Sequence, residues 1–294
     1  MREHVNMMIT NACNMHCRHC YLDCGAKGVF PDTSYILETA RGFKENGILR
    51  ITLTGGECTI HPGIRDIIIG IKNLGMGVNI FTNCLKASSD IIDQIDGIFI
   101  SLDGPENHHD MVRCHQGAYA GVMRVLKYCS EKNRQVSIQT TIVPGRIDCL
   151  DHISEVCGRF PGTIKTIHVA AVAHIGRGAE NFDHLDGFLE DVESATIRLQ
   201  RQVGFKTKVV NNIYYSPFSK AFYNDKMSYS LWADMCKGEC YHIDGFDNIP
   251  LNHYSQEWDR KMNACISDSM MALNLPTLYV IDEAYAQISC PYHD

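Results

Sequence analysis

Apolar residues follow two different periods along the first two thirds of the chain. Short β-branched or apolar runs at 5–10, 50–54, 77–82, 97–102, 136–143 and 164–172 read as strands. Between them the spacing becomes helical. Ile64, Ile67, Ile68, Ile71 and Leu74 share one helical face just after Pro62-Gly63. Tyr119, Val122, Met123, Leu126 and Cys129 share another, as do Leu150, Ile153, Val156 and Cys157. Apolar residues three and four apart fall on one side of a helix and need a surface to bury against. Asp148 is the expected N-cap of the 150s helix, with Asp151 in its first turn. Leu185, Phe188, Leu189, Val192 and Leu199 mark a further long helix ending near Gly204.

Six strands alternating with helices predict an α/β fold with a parallel sheet, since parallel neighbours need crossover connections. After about residue 206 the alternation stops. The tail is rich in Tyr and Asn, and its segments 278–281 and 284–289 flank Asp282-Glu283 as a hairpin would, without the usual turn glycine. A boundary is therefore expected near residue 205.

Composition narrows the class. The chain has 294 residues, 45% hydrophobic and 21% charged, which excludes general disorder. No apolar run reaches 18 residues; the richest is Ile67-Ile68-Ile69-Gly70-Ile71. The opening Met1-Arg2-Glu3-His4-Val5-Asn6 has no apolar signal region, so a cytoplasmic setting without membrane contact is expected. A formal charge of -7 argues against a nucleic-acid groove.

The 14 cysteines change the picture. In a long chain without a secretion signal, clustered cysteines point to metal ligands or reactive thiols rather than a disulfide scaffold. The densest group is Cys13-Asn14-Met15-His16-Cys17-Arg18-His19-Cys20, directly after the first strand. Three thiolates this close can converge on an iron–sulfur cluster and leave one iron open. The loop follows the carboxyl end of a strand, the side on which parallel sheets bind ligands. Cys24 is a fourth ligand or a bystander. Structural zinc is the alternative, although it usually arrives in paired C-x2-C knuckles with four ligands; a plain buried-cysteine cluster fits badly with Asn14, His16, Arg18 and His19.

The cysteine spacing resembles that of the radical S-adenosylmethionine (SAM) superfamily, and further blocks match its SPASM/twitch-type subgroup in order. Gly55-Gly56-Glu57 follows the second strand, Phe81-Thr82-Asn83 ends the third, and Ser101-Leu102-Asp103-Gly104 with His109-Asp110 and Arg113 follow the fourth. Gly176-Arg177-Gly178 follows the sixth. The resemblance implies a partial (β/α)6 TIM barrel over 1–205 and a small C-terminal α+β extension, a twitch/SPASM-like auxiliary module, over 206–294. It implies that Cys13, Cys17 and Cys20 hold a 4Fe–4S cluster whose open iron is chelated by SAM. Reductive cleavage of SAM would then give a 5′-deoxyadenosyl radical that takes a hydrogen atom from substrate.

The same resemblance distributes the cofactor contacts. Gly55 and Gly56 would let backbone approach the methionine moiety, and Glu57 would accept from its ammonium group. Ser101 would serve the ribose or methionine end, and Arg113 the carboxylate. Asn83 and Asp103 are further contacts or turn caps. His19 stands where the family often has an aromatic residue against the adenine. Cys58 replaces a common proline and Cys84 a usual glycine; with Cys114 they are candidate catalytic thiols, packing being the alternative for each. Cys129 and Cys157 are expected in the core.

In the tail, Cys236, Cys240, Cys265 and Cys290 fit one auxiliary cluster, with zinc or no metal as alternatives. The subgroup's habits imply a peptide substrate. A small molecule such as a tetrapyrrole and a noncatalytic iron–sulfur or zinc scaffold are the other readings. With the first strand so near Met1, leader recognition is expected from a separate small protein, and the electron from an external donor.

Overall fold

The computed structural model describes residues 4–22, 24–172, 176–183, 187–211 and 277–280. Strands β1 (His4–Met8), β2 (Arg50–Thr54), β3 (Gly77–Thr82), β4 (Gly97–Ser101), β5 (Val136–Ile142) and β6 (Ile164–Ala171) lie where the alternation places them. Helices α1 (Thr33–Glu45), α2 (Ile64–Asn73), α3 (Ser89–Gln94), α4 (Glu106–Val112), α5 (Ala118–Glu131), α6 (Cys149–Arg159), α7 (Arg177–Asn181) and α8 (Phe188–Val203) run between and after them. Neighbouring strands pair in parallel throughout, as the crossovers require. The fold is an α/β barrel of the partial TIM type.

The sheet is longer than six strands. Strand β7 (Lys208–Asn211) adds to β6, and β8 (Thr277–Val280) adds in parallel to the outer side of β1, giving an eight-stranded sheet. The core sheet thus continues past the expected boundary at 205 and recovers a strand from the tail. Of the limb expected at 278–281, residues 278–280 lie in the parallel strand β8; the rest, with its expected hairpin partner at 284–289, lies outside the described residues. So do Cys236, Cys240, Cys265 and Cys290.

Packing follows the predicted faces. Ile64, Ile67, Ile68 and Ile71 of α2, Val122, Leu126 and Cys129 of α5, and Leu150, Ile153 and Val156 of α6 are buried in one core with Ile51, Leu53, Val78, Ile80, Ile98, Ile100 and Ile138 of the sheet. Each fully buried Ile or Leu contributes about 1.5–3 kcal/mol relative to an exposed one. Cys149 is in the same core, and half-buried Cys157 packs against it. Asp148 precedes α6 without capping it; its carboxylate instead accepts from the Arg146 guanidinium at 3.0 and 3.1 Å, a competing local partner that spacing does not reveal. Among the described residues, no helix is long and apolar enough to cross a membrane.

On the other face of the strands, alternate residues are only half-buried. Phe81 and Phe99 stack there with centroids 4.4 Å apart, and His168 stands 5.7 Å from Phe99.

Candidate active site

At the carboxyl ends of the strands, the segment after β1 is sewn to the segment after β2. Gly56 N–H donates to Thr10 O and Glu57 N–H to Ala12 O, both at 2.9 Å. A Cβ at Gly55 would lie 2.2 Å from Thr10 O, and one at Gly56 2.3 Å from Ala12 O. Gly55 also has φ +147°, open to glycine alone. The space these glycines free is filled by the chain's own Thr10–Ala12 backbone. The glycines thereby bring the Glu57 turn against the cysteine loop.

Glu57 is buried and heavily used. One oxygen accepts from Thr59 N–H (3.2 Å), Thr59 Oγ1 (2.6 Å) and Thr82 Oγ1 (2.8 Å), and the other from Asn83 N–H at 2.7 Å. Burial raises its pKa against these donors. Glu57 therefore ties the ends of β2 and β3 together, with lone-pair capacity left mainly on the oxygen facing Asn83.

Asn83 passes this order to the cysteine loop. Its Oδ1 accepts from Leu85 N–H at 3.1 Å, which makes its Nδ2 the donor, and that donates to Asn14 Oδ1 at 2.8 Å. Asn14 is thereby oriented too, and its Nδ2 is buried with no partner among the described residues. His19 Nδ1 is left in the same condition. Buried polar atoms are almost always satisfied, so unclaimed ones inside one loop mark a place for a ligand.

The cysteines come together there. Cys13, Cys17, Cys20 and Cys24 pack with Met8, Met15, Leu22, Leu85 and Ala118 in a small cluster separate from the main core. Burial pushes the Cys13 thiol up to about 12 and Cys17 up to about 11. Cys20 is drawn down, first by a hydrogen bond with the Cys24 thiol, against its burial. Among the described residues, no three Cys, His, Asp or Glu side chains converge on a point that could hold a single ion. One zinc would need its sulfurs about 2.3 Å from a shared centre, whereas thiolates on separate irons of a cluster need no such point. The donor set fits the cluster better than zinc.

Asp103 and Arg113 form the opposite wall. Asp103 is fully buried; one oxygen accepts from Arg113 Nε at 2.7 Å and the other from Thr141 N–H at 3.0 Å. Burial opposes its ionisation, but the Arg113 charge holds the carboxyl well below the usual carboxylate range. His109 Nδ1 accepts the Asp103 N–H at 3.1 Å. His19 Nε2 stands 3.9 Å from the carboxylate, and burial holds that imidazole down to about 4, so it stays neutral. Nε is the one Arg113 nitrogen with a protein acceptor among the described residues, which leaves the terminal fork available. Ser101, half-buried at the end of β4, likewise spends its hydroxyl on no described residue.

Of the three candidate catalytic thiols, two are buried, Cys84 within reach of the Glu57 and Arg113 charges, and one is exposed. Cys58 is fully buried in the main core and donates to Phe81 O at 3.3 Å; Cys84 is equally buried there, with φ +69°. Burial raises both thiols well above their usual range. Cys114 is exposed and donates to Met111 O at 3.7 Å. Motif spacing does not encode the burial of the first two. Motif reading also passed over Arg177, quoted as part of a block but given no role. Its buried side chain donates to Cys17 O at 2.7 Å and Cys24 O at 2.8 Å.

The sequence family described as the Radical SAM superfamily matches residues 7–156, just over half the chain. The chain belongs to the radical SAM superfamily. Its cysteine loop, Glu57 turn and Asp103–Arg113 wall all lie within the matched span. The superfamily works with a 4Fe–4S cluster and SAM, and the unclaimed donors of Asn14 and Arg113, with the unclaimed His19 Nδ1, fit such a pair. Among curated relatives, the chain is 28% identical over 204 residues to the sporulation killing factor maturation protein SkfB of Bacillus subtilis, covering 66% of this chain and 48% of SkfB. It is 25% identical over 150 residues to the antilisterial bacteriocin subtilosin biosynthesis protein AlbA of the same organism, covering 48% of this chain and 34% of AlbA. The matches thus span half or less of those relatives. The structure of Streptococcus suis SuiB bound to precursor peptide SuiA shares the fold at TM-score 0.63 and 14% identity, covering 96% of this chain and 57% of SuiB.

Proposed function

We propose that this chain is a radical SAM enzyme that modifies a ribosomally made peptide after translation. The observation that carries the chemistry is the cysteine loop with its unclaimed buried polar atoms, the Asn14 Nδ2 donor and His19 Nδ1. The peptide assignment is supported by the similarity to SkfB, a maturation protein, and to AlbA, a bacteriocin biosynthesis protein. SuiB, which shares only the fold, has been captured with its precursor peptide.

Cys13, Cys17 and Cys20 would hold the cluster by three irons, with SAM on the fourth. When bound, this pair supplies one-electron cleavage of SAM and abstraction of a hydrogen atom from an unactivated carbon. The rest belongs to the protein. Arg113, steadied by Asp103 through Nε, offers its terminal fork to a carboxylate. Glu57, through its less occupied oxygen, accepts from an ammonium. Asn14 would donate from a side chain whose orientation Asn83 sets, and Ser101 and His19 would serve the remaining polar atoms of the cofactor. Gly55 and Gly56 act indirectly, by seating Glu57 against the loop. Half-buried Phe81, Phe99 and His168 on the inner face offer aromatic walls to a side chain.

The proposal keeps a core and a C-terminal auxiliary module, with Cys236, Cys240, Cys265 and Cys290 holding a second cluster there. It also keeps a separate leader-binding protein, an external electron donor and a cytoplasmic setting. The test is anaerobic: reconstituted protein, SAM, a reductant and precursor peptides encoded beside its gene. The expected result is 5′-deoxyadenosine plus a peptide mass change, both lost in a Cys13/Cys17/Cys20→Ala variant. Cofactor cleavage without a mass change in any such peptide would overturn the peptide assignment; no cleavage at all would overturn the enzyme reading.

A further inference from the structure

Among the described residues, the cysteine loop has no regular secondary structure between residue 13 and its return at Gly25, where Cys13 N–H donates to Gly25 O at 2.8 Å. A loop of this kind must find donors for its carbonyls elsewhere. Here they come from more than 150 positions further along the chain. Arg177 N–H donates to Cys20 O at 3.0 Å, its Nε to Cys17 O at 2.7 Å, and a terminal amino group to Cys24 O at 2.8 Å. The approach is close enough to need glycine beside it. At Gly176, with φ +52°, a Cβ would stand 2.7 Å from Cys20 O and 2.8 Å from Tyr21 O.

The far end of α7 is laced to the same loop. Arg18 Nε donates to Asn181 Oδ1 at 3.1 Å, and its guanidinium lies 5.4 Å from the Phe182 ring centroid. Asn181 Nδ2 in turn donates to Arg177 O at 2.8 Å. Arg177 is 5% exposed, so a permanent positive charge is sealed against the main chain of Cys17, one of the three ligands, and of Cys24. A planar fork can serve two carbonyls in fixed directions, which a lysine ammonium does not reproduce.

We propose that Arg177 is a positioning residue with two separable duties: its fork holds the cysteine loop in ligand-ready form before metal arrives, and its charge favours the reduced state of the cluster. The second duty rests on the reading that Cys13, Cys17 and Cys20 carry the cluster; the first does not. Reduction adds negative charge, so a nearby cation raises the potential, and net charge and hydrogen bonding are the protein's means of setting it.

The test uses the full chain with Arg177→Met and Arg177→Lys. Hydrogen exchange by mass spectrometry on metal-free protein should show at least tenfold faster exchange across residues 13–25 in both variants, with β3–β5 unchanged. After anaerobic reconstitution, a potentiometric titration followed by electron paramagnetic resonance should show a lowered midpoint for Met and a near wild-type midpoint for Lys. A role confined to packing would move exchange but not separate the two potentials, and would overturn the electrostatic half. Unchanged loop exchange would overturn the positioning half. If Arg177→Met does not fold, Arg177→Lys, which keeps the charge and loses the fork, decides by the same loop exchange. Wild-type protein that takes up no iron would refute the cluster reading while leaving the exchange result to judge the clamp.

Discussion

Two asparagines at opposite ends of the barrel strands show how structure and function divide this molecule. At the amino ends, Asn79 donates to Thr52 Oγ1 at 3.3 Å and accepts from Arg50 at 3.1 Å, while His4 shares the same Thr52 hydroxyl at 2.6 Å. Both ends of that amide are claimed by protein. At the carboxyl ends, Asn14 is held as firmly through its Oδ1, yet its Nδ2 is buried and unclaimed. The lower network is closed and serves stability; the upper one is held in readiness for a ligand. Hydrogen-bonding capacity that is oriented but unused distinguishes a site from a plug.

The largest effect should come from breaking the frame that supports the upper end. Gly56→Ala would force a Cβ to 2.3 Å of Ala12 O. It should cost about 3 kcal/mol of stability, read as a lower denaturant midpoint, with poor iron uptake. A midpoint within error of wild type would show that the loop yields.

The asparagine pair sharpens the comparison itself. Asn79→Ala should cost about 1–2 kcal/mol in unfolding and leave SAM affinity alone. Asn14→Ala should leave the unfolding midpoint nearly unchanged but weaken SAM binding to the reconstituted protein about tenfold, or ~1.4 kcal/mol. Calorimetric titration beside denaturant unfolding reads both, and the reverse pattern would invert the account.

Acid should loosen the Asp103 wall, and the lower network as well, where burial holds His4 down to about 4. Burial, helped by the Arg113 charge, holds His109 down to about 3, below its unfolded value of about 6.5. Between those values the unfolded chain takes up a proton that the folded chain refuses. Stability is then fully present above about pH 6.5 and falls toward pH 3, by up to about 1.4 kcal/mol per pH unit for this group. His109→Asn should be less stable at pH 8 yet show a shallower decline below pH 6, measured by urea unfolding of metal-free protein. An unchanged slope would mean that other groups set it.

The smallest effect concerns the thiols that motif reading made candidates. Cys58→Ala should cost about 1 kcal/mol by leaving a small void and leave SAM cleavage within about twofold. Loss of turnover in a well-folded variant would restore the catalytic role.

Much of the fold was legible because local periodicity determines it: the apolar faces of α2, α5 and α6 are the ones buried. The cysteine triplet was legible because its three thiols lie within one loop. What spacing could not convey was direction and distance. Cys58 and Cys84 look inviting beside motif residues, but their side chains enter the core. Gly55 and Gly56 have the expected freedom, yet the backbone they admit belongs to Thr10 and Ala12, known only once β1 and β2 are paired. Arg177 needs a contact across 160 positions to acquire meaning. Strand β8 needs a partner at the other end of the chain, and four residues carry little pattern of their own.

The account's central claim is that the loop from Cys13 to Cys20 holds a SAM-responsive iron–sulfur cluster. Electron paramagnetic resonance of the reduced, anaerobically reconstituted chain, with and without SAM, tests it most directly when repeated on the Cys13/Cys17/Cys20→Ala variant. The account predicts a wild-type signal that shifts on adding SAM and a variant lacking that component, any residual signal coming from the tail cysteines. A wild-type spectrum indifferent to SAM, or a SAM-sensitive signal that survives in the variant, would contradict it.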